Sequence, residues 1–392
     1  MIDKLAIIEL DYHEECLDTL CKLLSESSIK VEIYTKKSIY QEVNKDKKYN
    51  NLTWYIPKKG ESIRKFIKRS ESPLNENQVI LFNTLASNFF VFSKLNLKPI
   101  TILRIHNANS YLSPIKNIKF IFSYYSIYKD SSHIFREAFL KLNWLFRRKC
   151  IQKMDYLNFP TQEIEDYILS KKMLKPYRHC NSIPLSIVDE EMKIKRRNTS
   201  TYNITVIGTI EKKRRNYSLL YESIKTLITK TNQKVNITFA GKVKGKYGKM
   251  IIEKFLTLNN INLNIIYFNN RISQSRFDHI MSKTDCIIAP INIQTRYTIY
   301  KEEYGKTKAS GNVSDITKYR KKGIVPYEYP LSNNEKKYIK QYKNKEDLVN
   351  ILIDEINENK GIKAEDYIFF SKENVLSSFV TTINSLTKKT HQ

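Results

Sequence analysis

The chain has 392 residues, more than one hydrophobic core usually organises, so two domains are the first expectation. At 41% hydrophobic and 12% aromatic it is too apolar for a disordered chain, yet it has no run of about 18 apolar residues that could cross a bilayer. A formal net charge of +27 and an isoelectric point near 9.6 point either to an anionic partner or to compositional drift in a chain rich in Lys, Ile, Asn and Tyr.

The opening residues, MIDKLAIIELDYHEE, lack a secretory pattern, because the apolar run is short and acids follow it. Five scattered cysteines (16, 21, 150, 180, 286) show no metal spacing, so a reduced, cytoplasmic protein without a zinc site is expected. LAIIEL (5–10) reads as a buried strand leading into a helix that places Leu17, Leu20, Cys21 and Leu24 on one stripe. KVEIYT (30–35), QVILF (78–82), ITILRI (100–105) and DYLNF (155–159) read as further strands. The basic-aromatic stretch 119–153 fits either a core helix with a solvated face or a segment lying on an anionic membrane surface.

Residues 189–202 are polar and without apolar periodicity, and they read as a linker between a domain at 1–188 and another at 203–392. The last helices are expected to pack back on the first domain. After the linker, NITVIG (203–208), VNITFAG (235–241), NIIYFN (264–269), DCIIAP (285–290) and GIVPY (323–327) alternate with helical segments, which predicts a parallel sheet covered on both faces. The predicted fold class is therefore α/β, with two Rossmann-like domains facing across a cleft. Seven of the nine glycines fall between 208 and 323, mostly at strand ends, where open α/β sheets bind ligands, so the second domain is expected to hold a phosphorylated ligand.

Two clusters carry that chemistry. In EEYGKTKASGNVSD (302–315), Ser310 and Gly311 begin a predicted helix whose free N–H groups suit a phosphate, with Lys306 and Lys308 adding charge; an ordinary helix cap is the plain alternative. In GTIEKKRRNYSLL (208–220), Gly208 ends a strand, and Arg214 and Arg215 can grip a diphosphate, unless the loop is merely solvated. Neither a G-x-G-x-x-G fingerprint nor a G-x-x-x-x-G-K-[ST] loop is present, which argues against a nicotinamide dinucleotide site and a P-loop nucleotidase.

The second half resembles the nucleotide-sugar domain of GT-B glycosyltransferases, in particular the large group that includes retaining enzymes of cell-surface polysaccharide synthesis. The resemblance rests on the strand, glycine, basic pair and Leu-Leu helix at 203–220, on ITFAG ending at Gly241, on FDHIMSKTDCIIAP and on Glu302, Tyr304 and Gly305, which match the family's E-x-[FY]-G. It implies a hexosyltransferase-like enzyme with a nucleoside-diphosphate sugar as donor, no cofactor and no metal, and a glycan or lipid-linked acceptor. The implied location is cytoplasmic, either free or peripheral at the inner face of the plasma membrane. The implied donor residues are Gly208, Arg214, Arg215, Gly241, Glu302, Tyr304, Gly305, Lys308, Ser310 and Gly311. The chain departs from the family at Ser310, where a second Glu normally holds the ribose, and Asp315 is the nearby substitute.

Two histidines stand at strand ends in the first half, His13 in LDYHEE and His106 in ILRIHN. Inverting members of the family place a base after the first strand, oriented by an acid, a role His13 could fill with Asp11, Glu14 or Glu15. Retaining members hold a histidine against the transferred sugar, which His106 resembles, and retention is slightly favoured. The competing readings are a basic nucleic-acid-binding protein, which lacks any recognisable motif here, and a GT-B-like protein without activity.

Overall fold

The computed structural model describes residues 2–44, 49–119, 131, 132, 135, 143–174, 178–180, 183, 186–189, 200–258, 260–358 and 363–389. The first sheet takes β1 (Lys4–Glu9), β2 (Lys30–Thr35), β3 (Leu52–Tyr55), β4 (Val79–Thr84), β5 (Ile100–Arg104) and β6 (Tyr156–Asn158), in the order β3-β2-β1-β4-β5-β6. Every pairing in it is parallel. The order steps outward from β1 in both directions, so the ends of β1 and β4 border the switch point where such sheets bind ligands. Alternate residues of β1 feed two apolar layers: Leu5 and Ile7 pack with the helix Glu14–Leu24, and Ala6 and Ile8 pack with Phe66, Phe82 and Phe92 on the other face.

The second sheet repeats the plan with β7 (Thr201–Ile207), β8 (Lys234–Lys242), β9 (Leu263–Phe268), β10 (Cys286–Ile288), β13 (Lys322–Pro326) and β14 (Ile339–Tyr342), in the order β14-β13-β10-β7-β8-β9 and again parallel throughout. The two Rossmann-like domains expected from the alternation are therefore present. Between β10 and β13 the chain also forms an antiparallel hairpin of β11 (Gln294–Tyr297) and β12 (Tyr300–Glu303), which has no counterpart in the expected plan. β7 begins at Thr201, two residues before the expected start.

The final helix, Lys372–Lys389, leaves the second domain and lays Val375, Phe379, Ile383 and Leu386 among the core residues of the first. The amide of Ile2 donates to Asn384 Oδ1 at 2.8 Å. The linker reading falls largely outside the described residues, at 190–199, and so does most of the membrane-surface reading, at 120–130, 133, 134 and 136–142. The described end of that stretch, the helix Asn143–Lys153, turns Cys150 into the first-domain core and sets Phe146 edge-on to Phe90. No helix among the described residues is long and apolar enough to cross a membrane.

Candidate functional site

The carboxyl end of β7 is built around one arginine. Gly208 takes φ +93, a conformation that favours glycine, and a Cβ there would meet the Arg215 guanidinium at 2.3 Å. Gly241 leaves room for the backbone of Gly208 itself. The loop carrying Arg215 is fixed by backbone bonds from Asn216 N to Pro290 O (2.7 Å) and from Asn292 N to Arg214 O (3.0 Å). Arg215 is buried, and it donates to Thr209 O and to Asn312 Oδ1, each at 3.2 Å, while its Nε has no partner among the described residues. Arg214 points outward and pairs with Glu211 at 3.1 Å. The two arginines, equivalent in the sequence, are thus distinct in space.

Asn312 lies in the first turn of the helix Gly311–Lys318, and its own Nδ2 donates to Ile207 O. Ser310 precedes that helix without a side-chain capping bond, and the space over Gly311 is open, since a Cβ there would meet nothing within 4 Å. Uncapped N–H groups and a bound guanidinium therefore meet at one point of the sheet edge, a combination suited to a phosphate.

The segment before this helix behaves differently from its motif. Glu302 is fully buried, and its carboxylate accepts from the amides of Ser110 (2.8 Å) and Asn109 (3.4 Å), at the start of the first-domain helix Ala108–Leu112. It therefore caps an element of the other domain. Tyr304 is buried in the second-domain core, and Gly305, at φ +80, is required by Pro330, whose Cδ a Cβ would meet at 2.4 Å. Both therefore act in packing. Lys308 reaches across the boundary to Asn107 Oδ1 at 2.8 Å, and Ala108 N donates to Thr307 O at 2.8 Å. The β11–β12 hairpin extends the contact through Lys119 N to Ile299 O (2.8 Å), Asn109 Nδ2 to Lys301 O (3.1 Å), Trp144 Nε1 to the Tyr300 hydroxyl (2.8 Å) and a short Tyr12–Tyr297 hydroxyl contact.

On the first domain His13 and His106 are stacked, with ring centroids 3.9 Å apart and planes 15° from parallel. His106 Nε2 sits 2.8 Å from Asn83 O, which assigns the proton to Nε2 and leaves Nδ1 as acceptor. Beneath them lies a buried polar lattice that the sequence reading missed: Asn83 donates to Glu9 at 2.7 Å and accepts from Arg104, which also donates to Asn158. A charged residue inside the apolar run ITILRI was the available signal. Burial lowers His13 to about 4, with Lys308 and Arg104 adding to the effect, and lowers His106 well below its ordinary value, so both rings are neutral at pH 7.

The acid expected to orient His13 is not in place. Asp11 accepts instead from Ala86 N (2.7 Å) and the Ser87 hydroxyl (2.6 Å), and Glu14 and Glu15 occupy the first turn of the following helix. Among the described residues none of the three bonds to His13, whose Nε2 has no partner. The ligand atoms of His13, Cys16 and His106 lie within 4.8 Å of one another, a grouping the scattered cysteines gave no hint of. Because imidazole lone pairs lie in the ring plane, the stacked rings aim side by side, and the trio as placed does not converge as a tetrahedral set.

Two further groups at the boundary have displaced titrations. Burial pulls Lys308 down to about 8, opposed by Glu302 and helped by Arg214. Burial pushes Asp315 up to about 7, and Glu15 of the first domain adds to the rise against Lys318. Across the boundary between the domains Lys308, itself acted on by Arg214, acts on His13 and His106, and Glu15 acts on Asp315.

The chain has the GT-B fold. It superposes on the pneumococcal O-GlcNAc transferase GtfA, solved with UDP and GlcNAc, at a TM-score of 0.60 with 8% identity, covering 98% of this chain and 99% of that one. TarM gives a TM-score of 0.61 with 11% identity over 98% and 99% of the two chains, and Anabaena HepE, solved with UDP-glucose, gives 0.59 with 9% identity over 97% and 99%. No protein-family model matches the sequence, and no curated protein matches it. At these identities the likeness is one of fold.

Proposed function

We propose that the protein is a glycosyltransferase, moving a sugar from a nucleoside-diphosphate sugar to a glycan or lipid-linked acceptor. The observation that carries this reading is the buried Arg215, wedged on Gly208 and bonded to Asn312 beside the open start of the helix Gly311–Lys318. As the glycosidic bond breaks, negative charge grows on the leaving diphosphate. Fixed donors aimed at that charge, namely Arg215 and the helix N–H groups, lower the barrier without reorganising, and the exposed Arg214 adds only a screened charge nearby. Lys308, already at the boundary, adds charge where donor and acceptor domains meet. These groups fill the part that a divalent ion plays elsewhere, so the proposal includes no metal. Asp315 is the carboxyl offered to the ribose in place of the family's second Glu.

Retention of the anomer is the favoured outcome. An inverting base needs an orienting acid, and His13 has none bonded to it among the described residues. His106, held by Asn83 with Nδ1 free to accept, suits contact with the transferred sugar. The proposed setting is synthesis of a cell-surface polysaccharide, with the protein in the cytoplasm or peripheral at the inner face of the membrane.

Calorimetric titration with UDP- and GDP-sugars, followed by mass spectrometry of products, tests the proposal. Binding of a nucleotide sugar with release of its nucleotide is expected. Absence of such binding, with an RNA affinity that collapses between two salt concentrations, overturns it in favour of nucleic acid. A donor-binding protein without transfer is the second reading, favoured by the engagement of Glu302 with Ser110 and Asn109. Donor binding with no product from any acceptor would select it.

A further inference from the structure

We infer that the outer edge of β9 is a self-association surface: a second copy of this chain adds its own β9 antiparallel to it, about a two-fold axis at Asn264, and joins the two second-domain sheets into one. The inference goes beyond the glycosyltransferase reading and does not depend on it.

The signal begins in the sequence. Residues 255–270, FLTLNNINLNIIYFNN, carry no charged side chain in a chain that is 27% charged. Leu263, Ile265 and Tyr267 alternate with Asn264 and Ile266, so the period of a strand gathers the first three on one face, with Ile261 just before them. Leu263 and Ile265 are only partly covered by the second-domain core, while Ile261 is 95% and Tyr267 38% exposed. No residue from 261 to 270 is buried. The helix Gly245–Leu256, which leads into β9, also leaves Met250 and Leu256 half exposed.

The other edge strands are blunted. β3, of four residues, runs on into Pro57 and Lys58; β14, also of four, carries Lys340; and β6, of three, takes a bridge from His179 on its outer side. β9 is the longest edge strand, at six residues, and has no proline and no charge; no described strand pairs with its outer side. Its one irregularity of register lies on the inner side, against β8. A row of side-chain amides runs out to the same edge: Asn203 donates to Asp285 at 3.1 Å, Asn236 to Asn203 at 2.9 Å and Asn264 to Asn236 at 3.2 Å. Asn264 ends the row with one N–H and its Oδ1 in no bond among the described residues. Antiparallel pairing centred on Asn264 lets the two copies of that side chain exchange N–H···O bonds. On the opposite face it sets Leu263 against Ile265 twice and brings Ile261 beside Tyr267 twice. The strand thus complements itself.

Charge selects the occupant. Nucleic acid, anionic lipid or an acidic protein needs cations to meet it, and 255–270 offers none. An open strand edge cannot enter hydrocarbon with its backbone unpaired. Two copies of a chain at +27 repel one another and approach most readily where neither is charged. A six-residue edge is small beside the ~800 Å² per partner of a standard interface, so the pairing is expected to depend on concentration, in the micromolar range.

Sedimentation velocity of the full-length protein over a concentration series tests the inference, and a monomer passing into a dimer is expected. Ile261→Lys and Tyr267→Glu, each entering twice by symmetry, should each raise the dimer dissociation constant about tenfold or more, because each sets an unpaired charge in an apolar pair. The double variant should recover much of that loss by pairing the two introduced charges. Asn264→Cys tests the axis separately: mild oxidation should crosslink two copies of the variant, whereas the wild type, with its five cysteines, stays uncrosslinked. A denaturation curve for each variant confirms that it folds. A monomer into the high micromolar range, a dimer indifferent to both Ile261→Lys and Tyr267→Glu, or a folded Asn264→Cys that fails to crosslink would each overturn the inference.

Discussion

Replacing Arg215 should cost far more donor affinity than replacing its neighbour Arg214. A charge-assisted hydrogen bond contributes about 1.5–3 kcal/mol, so Arg215→Ala should weaken nucleoside-diphosphate binding roughly tenfold to over a hundredfold. Arg214 has 59% of its side chain exposed and is paired with Glu211. Contacts of that kind are worth about 0–1 kcal/mol, so Arg214→Ala should cost at most roughly fivefold. The larger substitution also deletes the bonds to Thr209 O and Asn312 Oδ1 and empties the space over Gly208. A fall in stability is therefore expected and must be separated from lost binding. Arg215→Lys does so: it keeps the charge but not the planar fork, and should bind with intermediate affinity. The assay is calorimetry with UDP and GDP at fixed ionic strength, beside a denaturation curve for each variant. Equal losses at the two arginines, or unchanged affinity in a folded Arg215→Ala, would refute the placement of the diphosphate.

Four other outcomes follow from the same geometry. Lys308 titrates at about 8, so donor affinity should fall as pH rises through that value, and Lys308→Arg should flatten the profile; a wild-type profile flat to pH 9 speaks against phosphate contact. Asp315, at about 7 when folded and 3.8 otherwise, binds more protons folded than unfolded between those values, so stability is present below about pH 4 and is lost as pH rises through 7; Asp315→Asn should gain on the order of 1–3 kcal/mol at pH 8, and no gain means the carboxyl is solvated. Glu302→Ala strands the buried amide of Ser110 and the half-buried amide of Asn109 and should cost about 1–3 kcal/mol in urea unfolding, whereas a neutral effect would deny the cap. His106→Ala should lose about a hundredfold or more in transfer rate with a retained product anomer, and an inverted anomer or a loss confined to His13→Ala would reverse the mechanism.

The fold was legible where the pattern was local. Apolar runs such as NITVIG and VNITFAG, each closed by a glycine, mark buried parallel strands because only glycine permits the Gly208–Gly241 approach. β3, in LTWY, escaped because it is a short edge strand with one apolar face against the core. The β11–β12 hairpin escaped because Gln294–Glu303 has no apolar alternation: its partners lie in the other domain, and its contacts are backbone and hydroxyl groups. Asn107, Asn312 and Asn83 matter for a like reason, since an asparagine's role depends on which carbonyl or carboxylate faces it, and spacing does not record that.

Glu302 shows how a motif can be present while its side chain serves another end. In the sequence it stands three residues before Gly305, as a donor-contacting acid should. In space its oxygens face Ser110 and Asn109, and burial raises its pKa while the neighbouring Thr307, Ser110 and Asn109 donors and Lys308 hold it down. Opening the cleft would therefore break the Glu302 cap, the Ala108–Thr307 backbone bond and the Lys308–Asn107 contact together, because all three join 302–308 to 107–110. The helix proposed to meet the donor begins at Gly311, and the first-domain helix held by Glu302 begins two residues after His106. A single short segment thus fixes the distance between the proposed diphosphate site and the proposed sugar-facing histidine. Substitutions at Glu302 are for that reason expected to alter transfer rate and domain cohesion in parallel, whereas those at Arg215 act on donor affinity first.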